Sequence, residues 1–124
     1  MLGIYFAELL GSYSKDELEK LKADILDLPS KIEAVLDNCN EIKTFAGKVY
    51  TQKDMFFLGR GTDYNVALEG SLKLKEISYI HSEAYAAGEL KHGPIALIEN
   101  GVTVIGIITN KELVEKTISN IQEV

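Results

Sequence analysis

One short segment constrains the fold more than any other part of the chain. The apolar run from Met55 to Leu58 is followed directly by Gly59, Arg60 and Gly61. A short apolar run that ends at glycines is typical of a β-strand buried on both faces of a parallel sheet. Such a strand needs helices to cover it, so this segment predicts an α/β architecture.

The pattern downstream of this strand predicts the rest of the sheet. Apolar spacing indicates a helix over residues 66–80, a β-like piece over residues 83–87 and a third strand over residues 102–108. Asn110 is suited to cap a last helix. The resulting order of β-α-β-loop-β-α predicts a parallel sheet with flanking helices.

The pattern upstream of the strand predicts helices only. An apolar helix precedes Gly11, and the spacing of Ser14 and Glu17 is that of a capping box that opens the next helix. Pro29 is suited to the first turn of another helix, and residues 41–50 form a further short one. We therefore divide the chain into a helical segment, residues 1–50, and an α/β segment, residues 51–124.

Composition excludes several classes of protein. With 124 residues, 46% of them hydrophobic and 26% charged, the chain suits one small folded domain or part of a larger one. The net charge of −6 argues against a nucleic-acid binder, and no apolar run is long enough for a membrane span. The start lacks a secretory leader, and Cys39 has no second cysteine to pair with. These features predict a cytoplasmic protein.

The glycine turn after the first strand is a candidate phosphate site. Gly59, Arg60 and Gly61 lie between a strand and a helix, where backbone N–H groups can hold a phosphate. The dinucleotide fingerprint requires a third glycine, and Tyr64 stands in that place. The alternative is a tight strand-to-helix turn that needs flexible backbone.

Three charged residues in the predicted helix form a second candidate. Glu69, Lys73 and Glu76 fall within a sector of roughly 60° on a helical projection. The apolar residues Val66 and Leu72 flank this sector, so we predict that it faces the core. Buried charges are costly, so a core-facing trio would indicate a pocket, an interface or a reaction. The alternative is an exposed ladder of ion pairs along the helix surface.

The two histidines receive different interpretations. His92 precedes Gly93-Pro94 in a loop, and its imidazole can take and give a proton near neutral pH, although a loop histidine is often merely solvated. His81 follows the predicted helix and is expected to interact with the helix dipole. Cysteine and histidine lack metal-ligand spacing, so we expect no metal and no cofactor.

Several contiguous strings resemble a known family. They are the segments Leu58-Gly59-Arg60-Gly61, Ala67-Leu68-Glu69-Gly70, Lys73-Leu74-Lys75-Glu76-Ile77-Ser78 and Glu89-Leu90-Lys91-His92-Gly93-Pro94. From about Leu28 onward the chain resembles the second sugar-isomerase (SIS) domain of the glucosamine-6-phosphate synthase family. The part before Leu28 resembles the end of the first SIS domain with a connecting helix. The resemblance implies a three-layer, flavodoxin-like parallel sheet that is incomplete on its C-terminal side.

The resemblance also implies an activity. Members of this family, the isomerizing glutamine–fructose-6-phosphate aminotransferases, make glucosamine 6-phosphate from fructose 6-phosphate and glutamine-derived ammonia. The family's proton-shuttling glutamate matches Glu76, and its ring-opening histidine, which enters from the neighbouring subunit, matches His92. Glu69 and Lys73 match residues that line the site. A sugar phosphate and a second subunit are therefore the expected partners.

Parts of the family pattern are missing from the chain. The Schiff-base lysine of the C-terminal tail, the phosphate cradle of the first SIS domain and the glutaminase domain have no counterpart here. We therefore expect the chain alone to bind sugar phosphate weakly and to turn nothing over. The alternatives are a non-catalytic sugar-phosphate-binding SIS module that uses residues 59–63, and a small dinucleotide-binding domain, which the missing third glycine disfavours.

Overall fold

The computed structural model describes all residues, 1–124, and forms two compact units, Met1–Phe45 and Ala46–Val124. The α-helices are α1 (Leu2–Leu10), α2 (Lys15–Leu26), α3 (Leu28–Asp37), α4 (Asn40–Val49), α5 (Thr62–Ser78) and α6 (Val114–Gln122). The strands are β1 (Asp54–Gly59), β2 (His81–Ala86) and β3 (Thr103–Gly106). Short 3₁₀ helices span Leu90–His92, Pro94–Leu97 and Lys111–Leu113. None of the helices combines the length and the apolar content that a membrane crossing requires.

The first unit is built from α1, α2 and α3. The predicted capping box opens α2: the backbone N–H of Ser14 donates to the Glu17 carboxylate at 2.9 Å, and the N–H of Glu17 donates to the Ser14 hydroxyl at 3.3 Å. Gly11 ends α1 in the left-handed region at φ 62°. Leu18 of α2 is buried, because α1 and α3 both contact that helix.

The second unit is organised around β1. All three strands are parallel in the order β2-β1-β3, so β1 is central, with Phe57 opposite Ala84 on one side and Ile105 on the other. Residues 55–58 are buried, as expected for a strand covered on both faces. Leu58, Ala87 and Leu90 form the fully enclosed centre of the core. The prediction of a parallel α/β fold is confirmed.

Helix α5 covers the sheet with small residues. Asp63, Ala67 and Ser71 are its buried positions, and the ring of Phe57 lies so close to Gly70 that a Cβ there would be 3.2 Å from it. The Ser82 hydroxyl of β2 donates to the Ser71 hydroxyl at 3.0 Å, which joins helix and sheet by a buried hydrogen bond. Small side chains let the helix approach the sheet closely. Helix α5 therefore packs on the sheet through this face, and the face that carries Leu68 and Leu72 is exposed.

The turn between β1 and α5 requires glycine at two positions for different reasons. A Cβ on Gly59 would be 2.4 Å from the backbone of Asp63, and Gly61 has a positive φ of 57°. The chain therefore enters α5 directly at Thr62, four residues before the predicted start. The carboxylate of Asp63, in the first turn of α5, accepts hydrogen bonds from Thr109 on a distant loop.

The remaining boundaries differ modestly from the expected ones. Strand β2 begins at His81 rather than at residue 83, because the backbone of His81 already donates to Lys53 beside β1. Strand β3 is shorter than the predicted run over residues 102–108, since its pairing with β1 ends at Gly106. The region read as a loop contains two 3₁₀ helices, which the buried side chain of Leu90 anchors.

Candidate functional site

The charged trio of α5 forms an exposed ion-pair cluster. The Nζ of Lys73 lies 2.7 Å from a carboxylate oxygen of Glu76 and 3.7 Å from one of Glu69. The side chains of Glu69, Lys73 and Glu76 are 63%, 53% and 52% exposed. The hydrogen bond to Glu76, with the charges of both glutamates, raises the pKa of the Lys73 ammonium. The structure therefore brings all three predicted side chains together.

The prediction that this trio faces the core is wrong. The helix packs on the sheet through Ala67 and Ser71, roughly opposite the trio on the helical projection. Placing three charges against the sheet would require desolvation, whereas Ser71 finds a buried partner in Ser82. In the isolated chain, the trio is instead an exposed ladder of ion pairs along the surface of α5.

Apolar side chains border the trio on the same outward surface. Val66, Leu72 and Ile77 are all exposed and flank it, and Tyr79 just beyond the helix is 92% exposed. Carboxylate and ammonium groups within an exposed apolar surround are typical of a surface that another body covers. When covered, such a cluster is desolvated, and a carboxylate held by a neighbouring ammonium is positioned to exchange a proton with a ligand.

His92 lies at the end of the 3₁₀ helix Leu90–His92. Its side chain is 72% exposed, and its Nε2 lies 3.9 Å from a carboxylate oxygen of Glu89. No hydrogen bond or ion pair joins it to the trio on α5. The loop thus presents the imidazole to solvent, as its position before Gly93-Pro94 predicts, but the single chain does not bring it to Glu76.

The turn at Gly59, Arg60 and Gly61 uses carbonyl groups of its own to pair two N–H groups at the start of α5. The N–H groups of Asp63 and Tyr64, at the start of α5, already donate to the carbonyls of Arg60 and Gly61 at 3.1 and 3.2 Å. Both glycines are explained by the close approach and the backbone angles of the turn itself. The tight-turn alternative therefore explains both glycines, and a phosphate role for this segment stays a prediction.

Sequence reasoning missed the main role of Asp63. Its carboxylate accepts hydrogen bonds from the Thr109 hydroxyl, from the Thr109 N–H at 2.8 Å and from the Asn110 N–H at 3.4 Å. The bond from the Thr109 hydroxyl, together with those backbone bonds, lowers the pKa of Asp63. An aspartate in the first turn of a helix is a usual cap, so its position alone gave no signal of this long-range link.

His81 also differs from its expected role. Its Nδ1 lies 2.8 Å from Asp54 and its Nε2 lies 3.5 Å from Glu83, so it contacts carboxylates at the starts of β1 and β2. Asp54 and His81 are opposite residues in the parallel register, which periodicity could not reveal. Glu83 also accepts a hydrogen bond from the Tyr85 hydroxyl, which raises the pKa of Tyr85 to about 12.

Comparison with known proteins identifies the class to which this fold and surface belong. The SIS domain family matches residues 48–124, and the chain belongs to that family. Among its relatives, the glutamine–fructose-6-phosphate aminotransferases [isomerizing] of Clostridium perfringens and Clostridium tetani are 63% and 62% identical, over 99% and 100% of the chain. The C-terminal domain of glucosamine-fructose-6-phosphate aminotransferase from Francisella tularensis superposes with a TM-score of 0.90 at 39% identity, over 97% of the chain. The resemblance inferred from the sequence strings is confirmed.

The matched part of these relatives is small. The chain spans 20% of the length of the two clostridial proteins and 34% of the Francisella chain. The comparison thus establishes which family the chain belongs to, and the residues of the outward surface of α5 stay candidates.

Proposed function

We propose that the chain is part of the isomerase portion of a glutamine–fructose-6-phosphate aminotransferase. The whole enzyme would convert fructose 6-phosphate and glutamine-derived ammonia into glucosamine 6-phosphate. High identity over nearly the whole chain to two proteins of that name supports this assignment. The observation that carries the chemistry is the clustering of Glu69, Lys73 and Glu76 on one exposed surface of α5.

In this proposal Glu76 is the base that moves a proton between the first two carbons of the sugar. A carboxylate can do this when it lies within hydrogen-bond reach of the carbon acid. The ammonium of Lys73, 2.7 Å away, restricts the orientation of that carboxylate, and Glu69 holds the ammonium from the other side. His92 assists ring opening and reaches the site from a neighbouring subunit, which is consistent with its exposure on a loop.

The substitution Glu76→Gln in the full-length enzyme tests the base role. We expect kcat for glucosamine 6-phosphate formation to fall by about 10²- to 10⁴-fold, because an amide cannot accept the proton. Glutamine hydrolysis should remain measurable, since it needs no sugar isomerisation. The matched control is Glu33→Gln on α3, an exposed glutamate without an ion pair. Wild-type synthesis by Glu76→Gln would remove this residue from the base role.

The isolated chain tests how much of the site it contains. We expect no glucosamine 6-phosphate from fructose 6-phosphate and ammonium ions, because the groups that the family uses to hold the phosphate and form the Schiff base are not in this sequence. Product detection by mass spectrometry, with full-length enzyme as the positive control, makes the measurement. Turnover by the isolated chain would show that the trio is sufficient without those groups.

A non-catalytic sugar-phosphate-binding module is the alternative function. It would hold the phosphate on the backbone of residues 59–63. The N–H groups of Asp63 and Tyr64 are already paired, and the Asp63 carboxylate adds negative charge beside them. Both facts favour the enzyme over this alternative.

A further inference from the structure

We propose that the unit Ala46–Val124 carries a second ligand site, separate from the α5 trio, for a small hydroxylated anion such as a phosphate monoester or a sugar acid. The site is a concavity of about 340 Å³. Three elements of the unit contribute lining residues. They include Arg60 of the turn after β1, Lys91 of the 3₁₀ helix Leu90–His92, and Glu115, Lys116, Asn120 and Glu123 of α6 and its C-cap.

The charges around this concavity favour an anion. Arg60, Lys91 and Lys116 face Glu115 and Glu123, which leaves an excess of one positive charge in a chain whose net charge is −6. Lys91 is already paired with Glu123 at 2.8 Å. Arg60 and Lys116 form no ion pair with either carboxylate, so both cations are available to a ligand.

The buried polar atoms point to the same place. In the whole chain two buried side-chain nitrogen or oxygen atoms lack a hydrogen-bond partner, Nε of Arg60 and Oδ1 of Asn120. Both belong to residues that line this concavity. Unpaired buried polar atoms are rare because they cost free energy, so both residues would gain from a partner. Both atoms are almost inaccessible to solvent, so a ligand reaches them when the two side chains turn toward the concavity. The Nε of Arg60 is a hydrogen-bond donor, and the Oδ1 of Asn120 is an acceptor.

These two requirements define the ligand. An anionic oxygen would accept from Arg60, and a hydroxyl of the same molecule would donate to Asn120 or to Glu115. The absence of a side chain at Gly88 fits this role, because a Cβ there would lie 2.6 Å from a terminal nitrogen of Arg60. The guanidinium therefore occupies the space over Gly88.

The test is a titration of the ¹⁵N-labelled chain, observed through the Nε–H resonance of Arg60. The probes are glycerol 3-phosphate and glycerate, with glycerol and sodium chloride as controls for the hydroxyls and for ionic strength. We expect a saturable shift of this resonance with at least one of the two anions and none with the controls. Saturation by glycerol 3-phosphate alone identifies a phosphate site, and saturation by glycerate alone identifies a carboxylate site. A shift that sodium chloride reproduces, or no shift, overturns the proposal.

Variants locate the site independently. Arg60→Gln and Lys116→Gln should each raise Kd by about tenfold or more, since each removes a cation that contacts the anion. Lys75→Gln is the matched control, because Lys75 is an exposed lysine of α5 without an ion pair. If Arg60→Gln fails to fold, the Kd of Lys116→Gln alone decides whether the anion binds at this concavity. Equal weakening by Lys75→Gln would show non-specific charge attraction and overturn the site. The readout is binding, so it is independent of the outcome for Glu76→Gln.

Discussion

At the scale of single residues, Asp63 does more for the fold than its sequence position suggests. It belongs to the first turn of α5, yet its carboxylate binds Thr109 and Asn110, which follow β3 in the chain. One buried side chain thus ties the start of a helix to the segment that follows β3, the strand paired with β1. The negative charge is retained because three donors surround it.

Replacement of this carboxylate tests the link. Asp63→Asn should lower the melting temperature at neutral pH by about 5 °C or more, because an amide offers one acceptor oxygen where three donors converge. Since the folded-state pKa of Asp63 lies below its unfolded value, the stability it contributes is present above the unfolded pKa and is lost as pH falls through the folded pKa.

The difference between Asp63→Asn and the parent chain should therefore shrink as the pH falls below about 4. Thermal unfolding followed by circular dichroism at several pH values measures it. Asp24→Asn on α2, an exposed aspartate without a hydrogen-bond partner, is the control and should follow the parent throughout. A constant difference at every pH would contradict the titration argument.

At the scale of elements, the orientation of α5 is the feature that sequence pattern failed to predict. Hydrophobic periodicity identified the helix but placed Leu72 and Val66 toward the core, and both are exposed. The contact is made by Ala67, Gly70 and Ser71, whose small size matters more than their hydrophobicity, because Phe57 of β1 occupies the space above Gly70. The hydrophobic pattern of a sequence reports the polarity of its side chains, whereas the close packing of a helix on a sheet depends on their volume.

The buried serine pair tests this packing. Ser71→Ala should destabilise the chain by about 1–3 kcal/mol, because the Ser82 hydroxyl loses its acceptor in the core. Ser119→Ala is the matched control, since Ser119 lies exposed on α6 without a side-chain hydrogen bond, and its replacement should cost less than about 0.5 kcal/mol. Chemical denaturation measures both values. The double variant Ser71→Ala/Ser82→Ala should recover much of the loss, and failure to do so would show that the hydrogen bond is not the cause.

Other elements were predictable for clear physical reasons. The central strand follows from an apolar run bounded by glycines, and the start of α2 follows from the reciprocal spacing of Ser14 and Glu17. The members of the trio could also be chosen, because spacing on one helix fixes which side chains meet. The contacts of Asp63 and His81 could not be predicted, since each depends on the register between strands or loops that are distant in sequence.

At the scale of the whole molecule, our proposal implies that the enzyme completes its site with a second subunit. The trio lies on an exposed surface with apolar neighbours, and His92 makes no contact with it within one chain. A second copy that supplies His92 would cover that surface and join the two groups. In the proposed enzyme, the active site would then be formed only in the assembly.

Subunit exchange between two impaired variants tests whether two subunits contribute to one active site. Full-length Glu76→Gln and His92→Ala should each be impaired, and subunit exchange between them should restore about a quarter of the wild-type sites if each site takes its glutamate and histidine from different subunits. Specific activity after exchange measures the recovery, with each variant exchanged against itself as the control. Activity that stays at the mean of the two variants would show that both residues act within one subunit.

The sheet order has a consequence for synthesis on the ribosome. The central strand, β1, is made before either of the strands that flank it, and β3 is separated from it by α5, β2 and two 3₁₀ helices. Its apolar Met55–Leu58 stretch therefore leaves the exit tunnel before the strands to which it will bond, and it stays exposed to aggregation until translation delivers them.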